Sequence, residues 1–183
     1  MTTLTSRALP MASPNARSLF PALTTATLVT SLIAGVAADL TWEFWARVIT
    51  PLLPGVGGPL EPAALVQSVF GLESKFTAEV IHLVVGFLFY PIGYLFIARP
   101  LQRFLLPSLP WPLTAIGFGI GLWVYALYVM AHLVAGLPAF LDWIPLTWAS
   151  LGGHVLFGLI VGLVVEMRES KARSAFGALS TSR

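Results

Sequence analysis

Four long apolar stretches alternate with polar or proline-rich connections along the chain. Each holds the roughly 20 predominantly apolar residues that a helix needs to cross a bilayer, and each is bounded by proline, glycine or charged residues. The stretches cover residues 22–48, 76–98, 112–134 and 146–167. This pattern predicts an all-α fold, an integral membrane four-helix bundle.

The connections between the stretches differ from one another. Residues 49–75 begin as a loop rich in proline and glycine and continue as the short apolar run from Ala63 to Leu72. This order predicts a loop followed by a short helix at the membrane interface. Residues 135–145 form a tight, aromatic connection.

The basic residues predict how the bundle is oriented. Of the ten Lys and Arg residues, eight lie on the side of both termini and of the middle connection, and Arg47 and Lys75 lie on the other. Since cytoplasmic loops carry the excess of basic residues, we expect both termini in the cytoplasm (N-in/C-in) and a multi-pass protein of a bacterial inner (plasma) membrane. Residues 1–20 are then a flexible cytoplasmic tail, 21–168 the membrane domain and 169–183 a second cytoplasmic tail.

The first apolar stretch has a second interpretation. Arg17, the apolar run from Phe20 and the small residues 35–38 resemble a signal peptide with its cleavage site. The apolar pattern, however, continues to Val48 without a break, and this favours a first helix that is not cleaved.

The amino-acid composition excludes several classes of protein. Charged residues make up 10% of the chain, against roughly a quarter in soluble domains, and hydrophobic residues make up 57%, with a mean hydropathy of +0.85. These values argue against a disordered chain, a nucleic-acid-binding protein and most soluble enzymes, so the lipid bilayer is the expected partner and nucleic acid is not. The absence of cysteine excludes disulfides and thiolate metal sites. Whether the protein is an enzyme is left open.

Small residues recur at intervals of four on the predicted helices, as in Gly117 and Gly121 or Gly158 and Gly162. Such stripes let helix backbones approach closely in lipid, so they predict tight packing within the bundle. They also offer a surface to a second copy of the chain or to another membrane protein.

Ionisable residues interrupt the apolar stretches mainly in the half of the bundle that we expect to face outward. A charge at the middle of a bilayer costs at least ~2.5 kcal/mol, so these side chains should face the bundle interior and find partners there. All three histidines of the chain lie in this half, together with several carboxylates. This cluster is the candidate functional site.

A non-haem transition-metal site, for redox chemistry or metal handling, is the leading hypothesis for the cluster. Glu79 and His82 have the Glu-x-x-His spacing that places a carboxylate and an imidazole on one helix face, as in di-iron bundles. Such ligands suit zinc, iron, copper or manganese. The predicted metal ligands are Glu79, His82, His132 and His154, with Glu43 as a fifth. Asp39 is not itself a predicted ligand but would orient His154 through a hydrogen bond. Asp142, also predicted to support the ligands, lies just above them in the outer connection.

Other functions remain open for the same residues. The cluster can be an ion-pair network that holds together a structural or stress-related membrane component, or it can be a proton relay. His82 and His132 can instead bind haem b axially, framed by Tyr125 and Tyr128, in an electron carrier. The surrounding acidic groups disfavour haem.

Several short motifs of the chain also occur together in one known family. They are Leu32-Ile33-Ala34-Gly35, Trp42-Glu43 before a proline-rich loop, His82 early in the second helix, Ala135-Gly136-Leu137-Pro138 before Asp142, and Gly153-His154 before basic residues. Over residues 32–168 the chain resembles the YagU-like inner-membrane proteins. The resemblance implies a four-helix inner-membrane protein of unassigned chemistry with a suggested link to acid tolerance. The residues of this chain that match the family's pattern are His82, Asp142 and His154. The family's third-helix histidine falls near Tyr128, one turn from His132.

Overall fold

The computed structural model describes residues 20–181, and every regular element within this range is helical. The helices are α1 (Thr25–Leu52), α2 (Pro62–Phe70), α3 (Lys75–Leu105), α4 (Trp111–Val134) and α5 (Pro145–Thr181). All except the short α2 are long and apolar enough to cross a membrane, which confirms the predicted all-α architecture with four long apolar helices. The tail predicted for residues 1–20 lies, except for Phe20, outside the described residues.

Local sequence signals set the ends of these helices. The hydroxyls of Thr24 and Ser74 accept hydrogen bonds from first-turn amides of α1 and α3, each at 3.2 Å, as N-capping residues do. Gly71 adopts the left-handed conformation (φ 63°) that ends α2. The position of α2 agrees with the short helix predicted from the apolar run that begins at Ala63.

The last helix is longer than the hydrophobic pattern predicts. Residues 169–183 are a separate tail in the prediction, but α5 continues without a break to Thr181. Arg173 forms ion pairs with Glu166 (2.8 Å) and Glu169 (3.6 Å). Charged pairs one and two turns apart stabilise a helix beyond its apolar part, and hydropathy alone does not detect such an extension.

Prolines widen α1 and α3 without ending them. Proline has no N–H for the carbonyl four residues earlier, and the turn before each of three prolines is π-helical, with i→i+5 hydrogen bonds. The π-helical stretches are Trp45–Ile49, Val85–Phe89 and Tyr94–Ala98, and the prolines are Pro51, Pro91 and Pro100. A fourth π-helical stretch, Tyr125–Val134, ends α4.

The four long helices pack in the order α3, α1, α5, α4. The most extensive contacts are those of α5 with α4 and with α1, and α3 packs on α1. Toward α4, α3 makes contact chiefly through Tyr94–Ala98, where the Tyr94 and Phe118 ring centroids are 5.3 Å apart. Beyond this point α2 lies between the two helices, packed on Lys75–Val84 of α3 and on Tyr125–Val134 of α4.

The two ends of the bundle carry different connections between the helices. The loop end carries the connections 53–74 and 135–144, and the terminal end carries the connection 106–110 and the two ends of the described chain. Leu60 fixes the longer connection at the loop end, because its side chain is buried and its amide donates to the backbone oxygen of Ala46 at 3.0 Å. This contact holds α2 close to the bundle.

Glycine provides the close helix contacts. A Cβ at Gly35 of α1 would overlap the backbone of α3, and a Cβ at Gly119 of α4 would overlap the backbone of α5. Gly158 of α5 meets the backbone of α4 in the same way. These positions agree with the predicted packing role, whereas a Cβ at Gly117 or at Gly121 would meet no atom within 4 Å.

The surfaces that point away from the bundle are apolar. On α1 the exposed side chains include one large apolar residue per helical turn, namely Leu28, Leu32, Val36, Leu40 and Phe44. A continuous apolar stripe of this kind is poorly suited to water and well suited to contact with lipid.

Candidate binding cleft

A cavity of about 240 Å³ lies at the loop end between α3 and α4, and α2 covers it. We call this cavity the loop-end cleft. Its walls are mostly apolar and include Leu65, Val66 and Val69 of α2, Ile81 of α3 and Leu122 of α4. The cleft exists because α3 and α4 meet chiefly nearer the terminal end, and α2 fills only part of the space that separates them.

Polar side chains within the cleft gather around one tryptophan. Asp39 of α1, His82 of α3 and His154 of α5 line the cleft together with Trp42. The centroid of the Trp42 ring lies 4.6 Å from that of His154 and 6.3 Å from that of His82. Asp39 is 6% exposed and His154 is 8% exposed. Three helices therefore bring ionisable groups to one buried place.

Helical spacing and two glycines make room for this group. Trp42 follows Asp39 by three residues, so both side chains lie on one face of α1. A Cβ at Gly86 of α3 would overlap the Asp39 carboxylate, and a Cβ at Gly153 of α5 would lie 2.9 Å from Cε3 of Trp42. The two glycines thus let α1 turn its polar face toward α3 and α5.

Three buried polar atoms of this group have no hydrogen-bond partner within residues 20–181. They are Asp39 Oδ1, Trp42 Nε1 and His82 Nδ1. Buried polar atoms are nearly always paired in folded proteins, and an unpaired one costs about 1–3 kcal/mol. In a cavity whose walls are mostly apolar, these atoms can bind the polar atoms of a ligand.

His154 is held by its own helix. Its Nδ1 lies 2.8 Å from the backbone oxygen of Ser150 and 3.4 Å from Ser150 Oγ. Since a carbonyl oxygen only accepts hydrogen bonds, Nδ1 carries the proton and Nε2 is left as an acceptor. This corrects the predicted role of Asp39, because the group that orients His154 is the Ser150 carbonyl.

Glu43 and Glu79, two of the predicted metal ligands, both bind Arg47. Arg47 Nε donates to Glu43, and Arg47 Nη2 donates to Glu79 Oε1 at 3.0 Å, so these ion pairs join α1 to α3. Their charges act on the nearby His82, but neither carboxylate lines the cleft. Sequence reasoning missed Arg47 as a member of the cluster, although a position four residues after a glutamate is the usual spacing of a helical ion pair.

The other two predicted residues lie away from the cleft. His132 Nδ1 is 2.8 Å from the backbone oxygen of Leu137, just beyond the end of α4, and its ring lies beside Tyr128. Asp142 is exposed, in the turn Phe140–Trp143, whose four residues all have positive φ. Neither side chain lines the cleft.

The predicted metal ligands do not converge on one point, because Arg47 binds Glu43 and Glu79 beside His82, and His132 lies outside the cleft that His82 and His154 line. In the described part of the chain, no group of three or more His, Asp or Glu side chains is positioned to hold one metal ion. The structure adds no support to the predicted zinc, iron, copper or manganese site, and metal binding stays a prediction. The haem b alternative also stays a prediction, and of its two proposed axial ligands His82 lines the cleft and His132 does not.

Trp42, Tyr90 and Ser150 line the cleft and were missed as site residues by sequence reasoning. For Trp42 a signal exists, because it lies three residues after Asp39 on a helix. For Tyr90 a signal exists as well, because it continues the four-residue spacing of His82 and Gly86, both of which line the cleft.

Known proteins add no further assignment. No protein-family model, no curated protein and no solved structure matches this chain. The resemblance to the YagU-like proteins therefore stays a prediction, and the candidate function rests on the geometry of the loop-end cleft.

Proposed function

We propose that the chain is a multi-pass protein of a bacterial inner membrane whose loop-end cleft binds an amphipathic small molecule. The ligand has a polar head that forms hydrogen bonds and an apolar body. In this proposal both termini lie in the cytoplasm and the loop end faces outward.

Two observations support the membrane placement. The outward faces of the long helices carry exposed apolar side chains, such as Leu32 and Leu40 of α1. Eight of the ten basic residues lie on the side of the termini and of the middle connection, which is the distribution that positive-inside topology requires.

One observation carries the ligand proposal: Asp39 Oδ1, Trp42 Nε1 and His82 Nδ1 are buried without partners among residues 20–181, in a cavity whose walls are mostly apolar. Small-molecule sites are mostly apolar and have a few convergent polar groups that orient the ligand. The indole N–H of Trp42 would donate to a carbonyl or hydroxyl oxygen of the head. Asp39 and His82 would form its other hydrogen bonds.

The size of the cleft indicates how much of the ligand it encloses. Its volume of about 240 Å³ is close to the lower limit of roughly 300 Å³ for small-molecule sites. It therefore suits a compact head with the first part of an apolar tail. Leu65 and Val69 of α2 and Leu122 of α4 would contact that tail.

A structural role is the second candidate, and the ion pairs of Arg47 favour it. Arg47 binds Glu43 and Glu79 and so links α1 to α3. A protein with this role would be a structural or acid-stress component of the membrane whose polar groups hold the bundle together and bind no ligand.

The experiment uses the full chain purified in detergent. Native mass spectrometry detects any hydrophobic compound that copurifies and measures binding of added decylubiquinone, which joins a carbonyl-bearing ring to a saturated tail. We expect binding to the wild type, and binding about fivefold to tenfold weaker in His82→Phe and in Trp42→Phe, since each removes one buried ring N–H that can donate to a carbonyl oxygen of the head.

Ser31→Ala is the matched control. Ser31 is also buried on α1, at 3% exposure, and its Oγ also lacks a partner within residues 20–181, but it does not line the cleft. This variant should bind as the wild type does. If the wild type carries no compound and binds no decylubiquinone, the ligand proposal is wrong. Elemental analysis of the same sample tests the metal prediction, which requires a stoichiometric metal that His82→Ala and His154→Ala lose.

A further inference from the structure

A second cavity, of about 290 Å³, lies at the terminal end, where the connection between α3 and α4 folds over the helix ends. We call it the terminal-end pocket. Its lining is mainly polar, unlike that of the loop-end cleft. The polar side chains that line it are Tyr94, Arg99, Gln102, Arg103, Thr114 and Glu166, and Trp111 lies beside them.

Several hydrogen-bond donors in this pocket lack an acceptor within residues 20–181. Thr114 is 7% exposed, and its hydroxyl has no partner. Tyr94 is 1% exposed as a whole residue, and neither its hydroxyl nor the Trp111 indole N–H forms a hydrogen bond in this range. The Arg103 guanidinium forms no hydrogen bond or ion pair there either. Four donors from two helices therefore line one pocket without acceptors of their own.

The charges around the pocket leave one arginine uncompensated. Glu166, the carboxylate in the lining, pairs with Arg99 at 3.6 Å and with Arg173 at 2.8 Å. Arg99 also binds Glu169. Two arginines thus neutralise Glu166, and Arg103 adds a positive charge that no described carboxylate pairs with.

Gln102 fixes the shape of the pocket. Its Nε2 donates to the backbone oxygens of Leu106 at 2.8 Å and of Leu109 at 3.2 Å. These bonds hold the connection over the pocket, so the donors of α3 and of α4 are arranged before any ligand binds.

We propose that the terminal-end pocket binds the phosphate group of an anionic ligand, either the headgroup of a phospholipid or a free phosphate compound. Phosphate oxygens accept several hydrogen bonds at once, and arginine binds them with charge-assisted bonds. Arg103 supplies the charge, and the hydroxyls of Tyr94 and Thr114 and the indole of Trp111 supply neutral donors. This site is independent of the loop-end cleft and of its ligand.

The test again uses the full chain in detergent and native mass spectrometry, with three added probes. They are phosphatidylglycerol, diacylglycerol with the same acyl chains, and inorganic phosphate. We expect phosphatidylglycerol to bind and diacylglycerol not to bind, because the latter lacks the phosphate. If inorganic phosphate binds and phosphatidylglycerol does not, the natural ligand is a free phosphate compound and not a phospholipid.

Variants locate the bound phosphate. Arg103→Gln should weaken binding about tenfold, since it removes a charge-assisted hydrogen bond. Thr114→Val should weaken it about fivefold without lowering thermal stability, because the Thr114 hydroxyl has no partner within residues 20–181 to lose. Lys171→Gln is the control for the change in charge, since Lys171 is exposed near the same end and does not line the pocket.

Two results would overturn the proposal. One is equal binding of phosphatidylglycerol and diacylglycerol, which would show that the acyl chains alone are recognised. The other is an equal loss of phosphate-dependent binding in Arg103→Gln and Lys171→Gln, which would show that net charge, and not this pocket, attracts the anion. Unchanged binding in Arg103→Gln would also overturn the proposal, because it would show that Arg103 does not bind the phosphate.

Discussion

The interface between α4 and α5 and the loop-end cleft use the same residue types but differ in whether their polar groups are paired. In the interface, the indole N–H of Trp123 donates to the backbone oxygen of Thr147 at 3.1 Å. In the cleft, the indole N–H of Trp42 has no acceptor among residues 20–181. Both tryptophans are buried, at 7% and 6% exposure. A paired donor stabilises a helix contact, whereas an unpaired one is available to a ligand.

Glycine accounts for a second part of the difference. Gly119 and Gly158 bring the backbones of α4 and α5 into direct contact, and a side chain at either position would overlap the neighbouring helix. At the loop end α3 and α4 are instead kept apart by α2. One pair of helices is therefore closed by backbone contact, and the other is left open enough to form a cavity.

The largest effect is expected from filling the closed interface. In Gly119→Ala the new Cβ would lie 2.8 Å from Cα of Val155, and backbone atoms cannot move aside as the end of a side chain can. We expect the free energy of unfolding to fall by about 3 kcal/mol. Denaturation of the detergent-purified protein, followed by helical circular dichroism, measures this loss.

Gly117→Ala is the control for this change, because it lies on the same helix and its Cβ would meet nothing within 4 Å. Alanine has the higher helix propensity, so this variant should be as stable as the wild type or slightly more stable. Equal destabilisation of the two variants would mean that close contact at Gly119 does not hold α4 to α5.

A smaller effect is expected when the paired and the unpaired indoles are compared directly. Trp123→Phe removes a buried donor and leaves the Thr147 oxygen without it, so we expect a loss of about 1–3 kcal/mol beyond the effect of the smaller ring. Trp42→Phe makes the same change in ring size but breaks no hydrogen bond within residues 20–181. Denaturation of both variants should therefore show Trp123→Phe to be the less stable of the two. The comparison between the two regions fails if Trp42→Phe loses as much stability as Trp123→Phe.

Hydropathy was sufficient to predict the four long helices, because each contains a long apolar run that only a buried or lipid-facing helix accommodates. Helical spacing was also sufficient to place Asp39 with His154 in one region, since residues at similar depth on neighbouring helices can meet. It could not predict that Glu43 and Glu79 would both bind Arg47. Depth along a helix is readable from sequence, but rotation about the helix axis and competition between partners are not.

His132 shows why the rest of the cluster was beyond prediction. The prediction that His132 joins the other ligands assumes the periodicity of a regular α-helix, but Tyr125–Val134 is π-helical, which changes the direction in which its side chains point. His132 then reaches the Leu137 carbonyl beyond the end of α4. The extension of α5 past residue 167 was missed for a different reason, since ion pairs such as Arg173 with Glu169 stabilise it and apolar burial does not.

The smallest effect is expected at the edge of the cleft, where Arg47 joins α1 to α3. Arg47→Gln leaves Glu43 and Glu79, which are only 21% and 24% exposed, without their cation. Since Arg47 itself is 54% exposed, we expect a loss of only about 1 kcal/mol. Lys75→Gln breaks a pair with Glu61 in which both side chains are more than half exposed, and it should change stability by less than about 0.5 kcal/mol.

Hydrogen exchange shows where the Arg47 ion pairs act. If they hold the wall of the cleft, amides of Lys75–Val84 in α3 should exchange faster in Arg47→Gln, whereas those of Trp111–Val124 in α4 should not change, because the α4–α5 contact does not depend on Arg47. Faster exchange in both segments would mean that the cleft and the closed interface unfold as one unit. The two regions would then differ in the pairing of their polar groups but not in their local stability.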